Sequence, residues 1–290
     1  MDLKTIDAAL KRAADPTYLE QMKLLGVNTD QAIGVRMPKL KLLAKNIGKD
    51  HEMALNLWEL GHHEGRILAG LVEEPDKMER SQADRWVSEL QSWDEVDQLC
   101  GYLFQKVPYV EELIPAWIKR KDPFVRRAGF VLIVATCIHH KSKEDDHFLQ
   151  YFDTIEKYST DERNYVKRAV NWALRQIGKR TIHLNKDAVE LAKKLASKKN
   201  ETARWIGKNA LKELQSEEVL ERLNKKEEKR LKKIEKKKQK EKAKKEAEKK
   251  KMLKKAKQAK KKGTSTSAKG NKKSAERKTK KKASTAKKKK

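Results

Sequence analysis

Residues 125–135, 166–178 and 203–214 read VRRAGFVLIVA, VKRAVNWALRQIG and ARWIGKNALKEL. Each carries small and apolar residues three and four apart around a basic residue, the period of an amphipathic helix. Aligning Arg127, Arg168 and Arg204 gives spacings of 41 and 36 residues. Helix-pair repeats of the HEAT type recur at about this period. One such pair cannot bury its apolar face alone, so neighbours stack into a solenoid with a concave face. The expected fold is an all-α, HEAT-like repeat solenoid.

The flanking sequence reads the same way. Glycine and proline are few, alternating β-branched runs are missing, and helical periodicity predicts helices over 3–13, 17–25, 38–47, 51–60, 64–73, 79–90, 93–105, 109–119, 123–138, 145–157, 161–178, 186–197 and 201–214. The net charge of +29 is unevenly placed. Residues 221–290 hold 35 Lys and Arg against 8 Asp and Glu, and the rest of the chain is nearly neutral at +2. The expected organisation is a repeat domain over 1–220, a Lys/Glu-rich segment over 221–262 able to form a lone helix, and a basic tail over 263–290. The tail's high charge and few apolar residues predict disorder.

Several function classes drop out. Cys100 and Cys137 lie among apolar residues and fit neither a zinc spacing nor a disulfide framework, which suits a reduced intracellular protein. The N-terminus lacks the apolar run of a signal peptide, and nothing in the body is apolar enough to span a bilayer. His62–His63 and His139–His140 are adjacent pairs that diverge on a helix. No metal-ligand set, catalytic triad or Gly-rich phosphate loop stands out, so neither metal nor cofactor is expected.

Some residues lie on the wrong face of their helix. In 166–177 the apolar stripe is Val166, Ala169, Val170, Ala173, Leu174 and Ile177. Trp172 points roughly 130° from its centre, on the side of Arg168, Arg175 and Lys179. Packing against the next repeat explains this as well as a site does. In SWDEVDQLC (92–100), Ser92 and Glu95 read as a capping box, and acids suit the first turn. Asp97 is then a dipole residue and Trp93 a core residue. Yet Asp97 lies roughly 110° off the stripe of Val96, Leu99, Cys100 and Leu103. It neighbours Trp93 at i and i+4. A carboxylate beside an indole face suits a cationic substrate. Arg126 and Arg127 stand in an otherwise apolar helix and need a partner, either an internal carboxylate or a phosphate.

At these residues the chain resembles the DNA alkylation repair family of AlkD-type, HEAT-like repeat DNA glycosylases. The resemblance covers most of 20–215, through GVRMPKLKLLAK (34–45), LWELGHHEGRILAG (57–70), SWDEVDQLC, IPAWIKRKDPFVRRAGFVL (114–132) and YVKRAVNWALRQIGK (165–179). It implies hydrolysis of the N-glycosidic bond of cationic alkylpurines, such as 3-methyladenine and 7-methylguanine, in duplex DNA. The family's catalytic Trp and Asp fall on Trp93 and Asp97, its second Trp on Trp172 and its phosphate-contacting Arg on Arg127. Arg168 and Arg175 are further candidates for DNA contact. The family's N-terminal aromatic falls near Tyr18, although alignment through QMKLLG (21–26) puts Gln21 there.

The resemblance implies a site without a nucleobase pocket, unlike most glycosylases, which extrude the base. With no obvious lysine nucleophile, a monofunctional glycosylase acting as a monomer on alkylated DNA is expected, in a cytoplasm or, in a eukaryote, a nucleus. The tail would add DNA affinity through counterion release. The alternatives are a non-catalytic HEAT-like module that binds nucleic acid, and a protein-binding scaffold.

Overall fold

The computed structural model describes the backbone of residues 1–285 and side chains through residue 255. It contains α1 (Leu3–Arg12), α2 (Pro16–Leu24), α3 (Met37–Ile47), α4 (His51–Trp58), α5 (His63–Val72), α6 (Arg80–Glu89) and α7 (Trp93–Tyr102). A 3-10 turn (Phe104–Lys106) leads to α8 (Val110–Ile118), α9 (Pro123–His139), α10 (Asp146–Leu149) and α11 (Tyr151–Tyr158). Then come α12 (Asn164–Gly178), α13 (Ile182–Ala196), α14 (Glu201–Leu214) and α15 (Glu217–Thr285). No strand occurs among the described residues, and no helix there is long and apolar enough to cross a membrane.

The packing order reveals the repeat. α5 packs on α7, α7 on α9, α9 on α12 and α12 on α14, forming an inner ladder. α4 backs α5, α8 backs α9, and α13 backs both α12 and α14. The three echoed segments are thus consecutive inner helices. Close approach depends on small residues: a Cβ at Gly129 of α9 would meet the Ile118 backbone N at 2.8 Å, and one at Gly207 of α14 would meet the Ala192 carbonyl at 2.5 Å.

The core runs the length of the ladder. Trp58 and Trp86 stack at 4.0 Å between outer helices, while Trp117 donates to Asp84 Oδ1 at 2.6 Å. All three are buried. Both cysteines are free and buried.

Three differences from the sequence reading bear on the packing. α13 begins at Ile182, not 186, because the Thr181 hydroxyl caps it by accepting from Leu184 N at 3.2 Å. The span read as 145–157 divides at Gln150, whose backbone stays near-helical (φ −56°, ψ −22°). The body extends past Leu220 to Glu227, since Val219 and Leu223, one turn apart on α15, are buried and Lys226 Nζ donates to the Arg180 carbonyl.

Residues 228–290 form a second unit. α15 runs on to Thr285, beyond Lys262, where the helical reading ended and disorder over 263–290 was expected. Lys, Glu, Ala and Gln are strong helix formers, and they dominate residues 228–262. Residues 286–290 lie outside the described residues.

Candidate nucleic-acid site

The start of α7 is held from behind. His63 Nε2 lies 2.7 Å from Asp94 Oδ2, and Ser92 Oγ donates to Asp94 Oδ1 at 2.5 Å. Burial disfavours a charge on His63, but hydrogen bonds to Asp94 and Glu64 and the fields of Asp94 and Glu95 outweigh it, raising its pKa to about 10. Burial likewise opposes the Asp94 carboxylate, and His63 holds its pKa below the ordinary value. An imidazolium–carboxylate pair thus ties α5 to the first turn of α7, next to Trp93.

The expected capping box does not close. Glu95 Oε2 accepts from Gln91 N at 3.0 Å, but the Ser92 hydroxyl makes no cap bond, because Asp94 takes it. Nearby, the Glu64 carboxylate accepts from Ile33, Gly34 and Val35 N–H at 2.7–3.0 Å, which fixes the chain between α2 and α3. Its pKa falls to about 2, since His63 and these backbone donors outweigh burial.

Asp97, one turn beyond Trp93, does not serve the helix terminus. Arg127 of α9 grips it with two bonds, Nε to Oδ1 at 2.9 Å and Nη2 to Oδ2 at 2.8 Å. Arg127 Nη1 also donates to the Tyr165 carbonyl at 2.8 Å, at the start of α12. The guanidinium sits 5.8 Å from the Trp93 ring centroid. Burial pushes the Asp97 pKa up, and the charge and hydrogen bonds of Arg127 pull it back without cancelling the rise. With both its oxygens accepting from a guanidinium, Asp97 is held as the carboxylate. A guanidinium has five N–H donors, and these bonds use three. Arg126 also meets an internal carboxylate, Asp161, at 2.8 Å.

Trp93 and Arg127 open onto a cleft of about 580 Å³ between the inner helices. α12 contributes Arg168, Trp172 and Arg175. Trp172 is half-buried, so it both packs on the core and faces the cleft. Arg168 is exposed, with Nε donating to Asn164 Oδ1 at 3.1 Å. Arg175 is committed to Glu213 of α14, which Lys179 also meets at 2.5 Å. The cleft therefore gathers Trp93, Trp172, Arg127, Arg168 and Arg175, with Asp97 bonded behind Arg127.

Sequence reasoning did not single out Asn164, Tyr165, Asn171, Trp205 or Asn209, which complete the cleft with Leu25 and Gly26. The signal for Trp205 was present, since it lies opposite the stripe of Ala203, Ile206 and Ala210, all buried. Tyr165 reaches across to the Gly26 carbonyl at 3.4 Å. Tyr18 does not line the cleft: Arg36 lies over its ring at 4.6 Å, and burial together with the Asp94 charge raises its pKa. Gln21 is exposed. No group of three or more His, Cys, Asp or Glu able to hold a metal occurs among the described residues.

A family model described as DNA alkylation repair enzyme matches residues 6–214. Among solved structures, a chain described as "A new family of proteins related to the HEAT-like repeat DNA glycosylases with affinity for branched DNA structures" superposes with a TM-score of 0.61 at 19% identity. The match covers 72% of this chain and 94% of that one, and it shows a shared fold. No curated protein matches the sequence.

Proposed function

Because the chain belongs to the DNA alkylation repair enzyme family, we propose that it is a DNA glycosylase that releases cationic alkylpurines, such as 3-methyladenine and 7-methylguanine, from duplex DNA. The observation that carries this reading is the Trp93–Asp97–Arg127 cluster. It puts an indole face and a half-buried, ionised carboxylate together beside a Trp-lined, basic cleft.

The chemistry follows from charge. Alkylation makes the purine a cation and weakens its bond to deoxyribose. As the base leaves neutral, positive charge develops on the sugar. A carboxylate fixed before the reaction starts stabilises that charge without reorganisation and can orient the attacking water. Trp93 and Trp172 present π faces that favour a cation. Arg127 holds Asp97 in place and keeps two N–H donors for a phosphate, a bridge that aligns backbone and carboxylate. Arg168 adds a phosphate contact, which positions the DNA without reading its sequence, while Arg175 is held by Glu213. Among the described residues that line the cleft none is a lysine, which favours plain hydrolysis over lyase chemistry through a Schiff base. The cleft opens to solvent at exposed Arg168 and Trp205, which suits a lesion read without extrusion into a closed pocket.

Chromatography of bases freed from methylated duplex DNA tests the assignment. Release of 3-methyladenine and 7-methylguanine is expected, with none of the neutral lesion O6-methylguanine. Release of neither cationic base, with DNA binding intact, would refute it. A second reading, a non-catalytic DNA-binding module, is favoured by one observation: both oxygens of Asp97 are already taken by Arg127.

A further inference from the structure

Trp58, Trp86 and Trp117 are buried in the core, and Trp93 and Trp172 belong to the site already described. Trp205 on α14 belongs to neither group. It is 40% exposed and faces the same cleft. An indole left in water forgoes the burial that stabilises the other tryptophans, and exposed aromatics of this kind concentrate at binding surfaces.

The packing of α14 fixes where Trp205 points. Asn171, buried beside Trp172, donates to the Ile206 carbonyl at 3.1 Å, which locks α14 in register with α12. A side chain at Gly207 would meet the Ala196 backbone N at 2.3 Å, so α14 lies hard against α13. With Ile206 and Gly207 held inward, Trp205 is turned toward the cleft. Its surroundings are polar and cationic. Lys167 Nζ lies 5.4 Å from its ring centroid, and Asn209, one turn along α14, lines the cleft with an amide. Arg168 provides a guanidinium nearby in the same wall. An aromatic platform with cations for the backbone and an amide for a base edge is the composition used for unpaired nucleotides.

We propose that Trp205, Lys167 and Asn209 form a subsite that stacks one unpaired nucleobase of the bound DNA, so that the protein prefers duplexes with a displaced base. The subsite rests on the reading that this cleft binds DNA. The three indoles from α7, α12 and α14 then line one cleft.

Fluorescence anisotropy with the full chain tests this, comparing a continuous duplex with the same duplex carrying one unpaired adenine. The tail's sequence-independent contribution cancels in the ratio of the two Kd values. The wild type should bind the bulged duplex about tenfold tighter, within the range that one base stacked on an aromatic ring is worth. Trp205→Ala should bring the ratio to about one, whereas Trp205→Phe should keep most of the preference. A wild-type ratio near one, or a preference that survives in Trp205→Ala, overturns the subsite. Release of 7-methylguanine by the same preparations separates the two ideas. Release without a bulge preference sinks the subsite alone, while a wild type that neither releases the base nor binds either DNA sinks the site and the subsite together.

Discussion

Replacing Arg127 with Met removes the partner of Asp97 and leaves a carboxylate with few ways to reach water. The two side chains are 6% and 17% exposed, so little solvent screening applies. Removing one member of such a pair costs about 3–5 kcal/mol, because the remaining charge is uncompensated. For a body of this size, that lowers Tm by roughly 6–20 °C. The deficit must depend on pH. Without Arg127, burial acts unopposed on Asp97, and its pKa rises further above the ordinary 3.8. A carboxyl with a raised folded pKa binds its proton more tightly folded than unfolded. The deficit is therefore complete above the folded pKa and shrinks as pH falls toward 3.8. Urea denaturation at about pH 7.5 and about pH 5.5 reads this directly. The double variant Arg127→Met/Asp97→Asn should recover most of the loss, since no net charge stays buried. An Arg127→Met protein within about 1 kcal/mol of wild type at the higher pH, or a deficit equal at both, would refute the reasoning.

Three other outcomes are expected. Deleting 228–290, beyond the buried Leu223, should leave the fold intact and flatten the dependence of DNA affinity on salt, each lost phosphate contact reducing the slope by about 0.9. Binding measured across a salt series checks this, and an unchanged slope would contradict a DNA-binding role for the tail. Glu213→Gln should free Arg175 and Lys179, tighten DNA binding and steepen the same slope by about 0.9 for each phosphate gained. Urea stability measured against pH should show the stabilisation from His63 complete below pH 6.5 and lost as pH rises toward about 10, while His63→Asn should remove that dependence.

The repeat was legible in the sequence because period and spacing are local. The three echoed segments became consecutive inner helices, and Trp172, which stood off its apolar stripe, reaches the same cleft as Trp93. What the sequence left open were partnerships across rungs of the ladder. The bonds from Arg127 to Asp97 and to Tyr165 span 30 and 38 residues, and that from Asn171 to Ile206 spans 35. Arg127 was therefore legible as a residue needing an anion, but the choice between carboxylate and phosphate was not. The capping box failed for a similar reason, as His63 stations Asp94 where it takes the Ser92 hydroxyl. Trp205 sat on the polar side of its helix like Trp172, and the same wheel argument finds it.

The most direct test of the central claim is the rate of 7-methylguanine release from methylated duplex DNA by wild type and by Asp97→Asn, with DNA binding measured in parallel. Losing a preorganised carboxylate should cut the rate by roughly 10²–10³, the scale set by one electrostatic contact to a transition state, while DNA binding persists. Equal release by both proteins would contradict the account and return Asp97 to the role of a structural partner for Arg127.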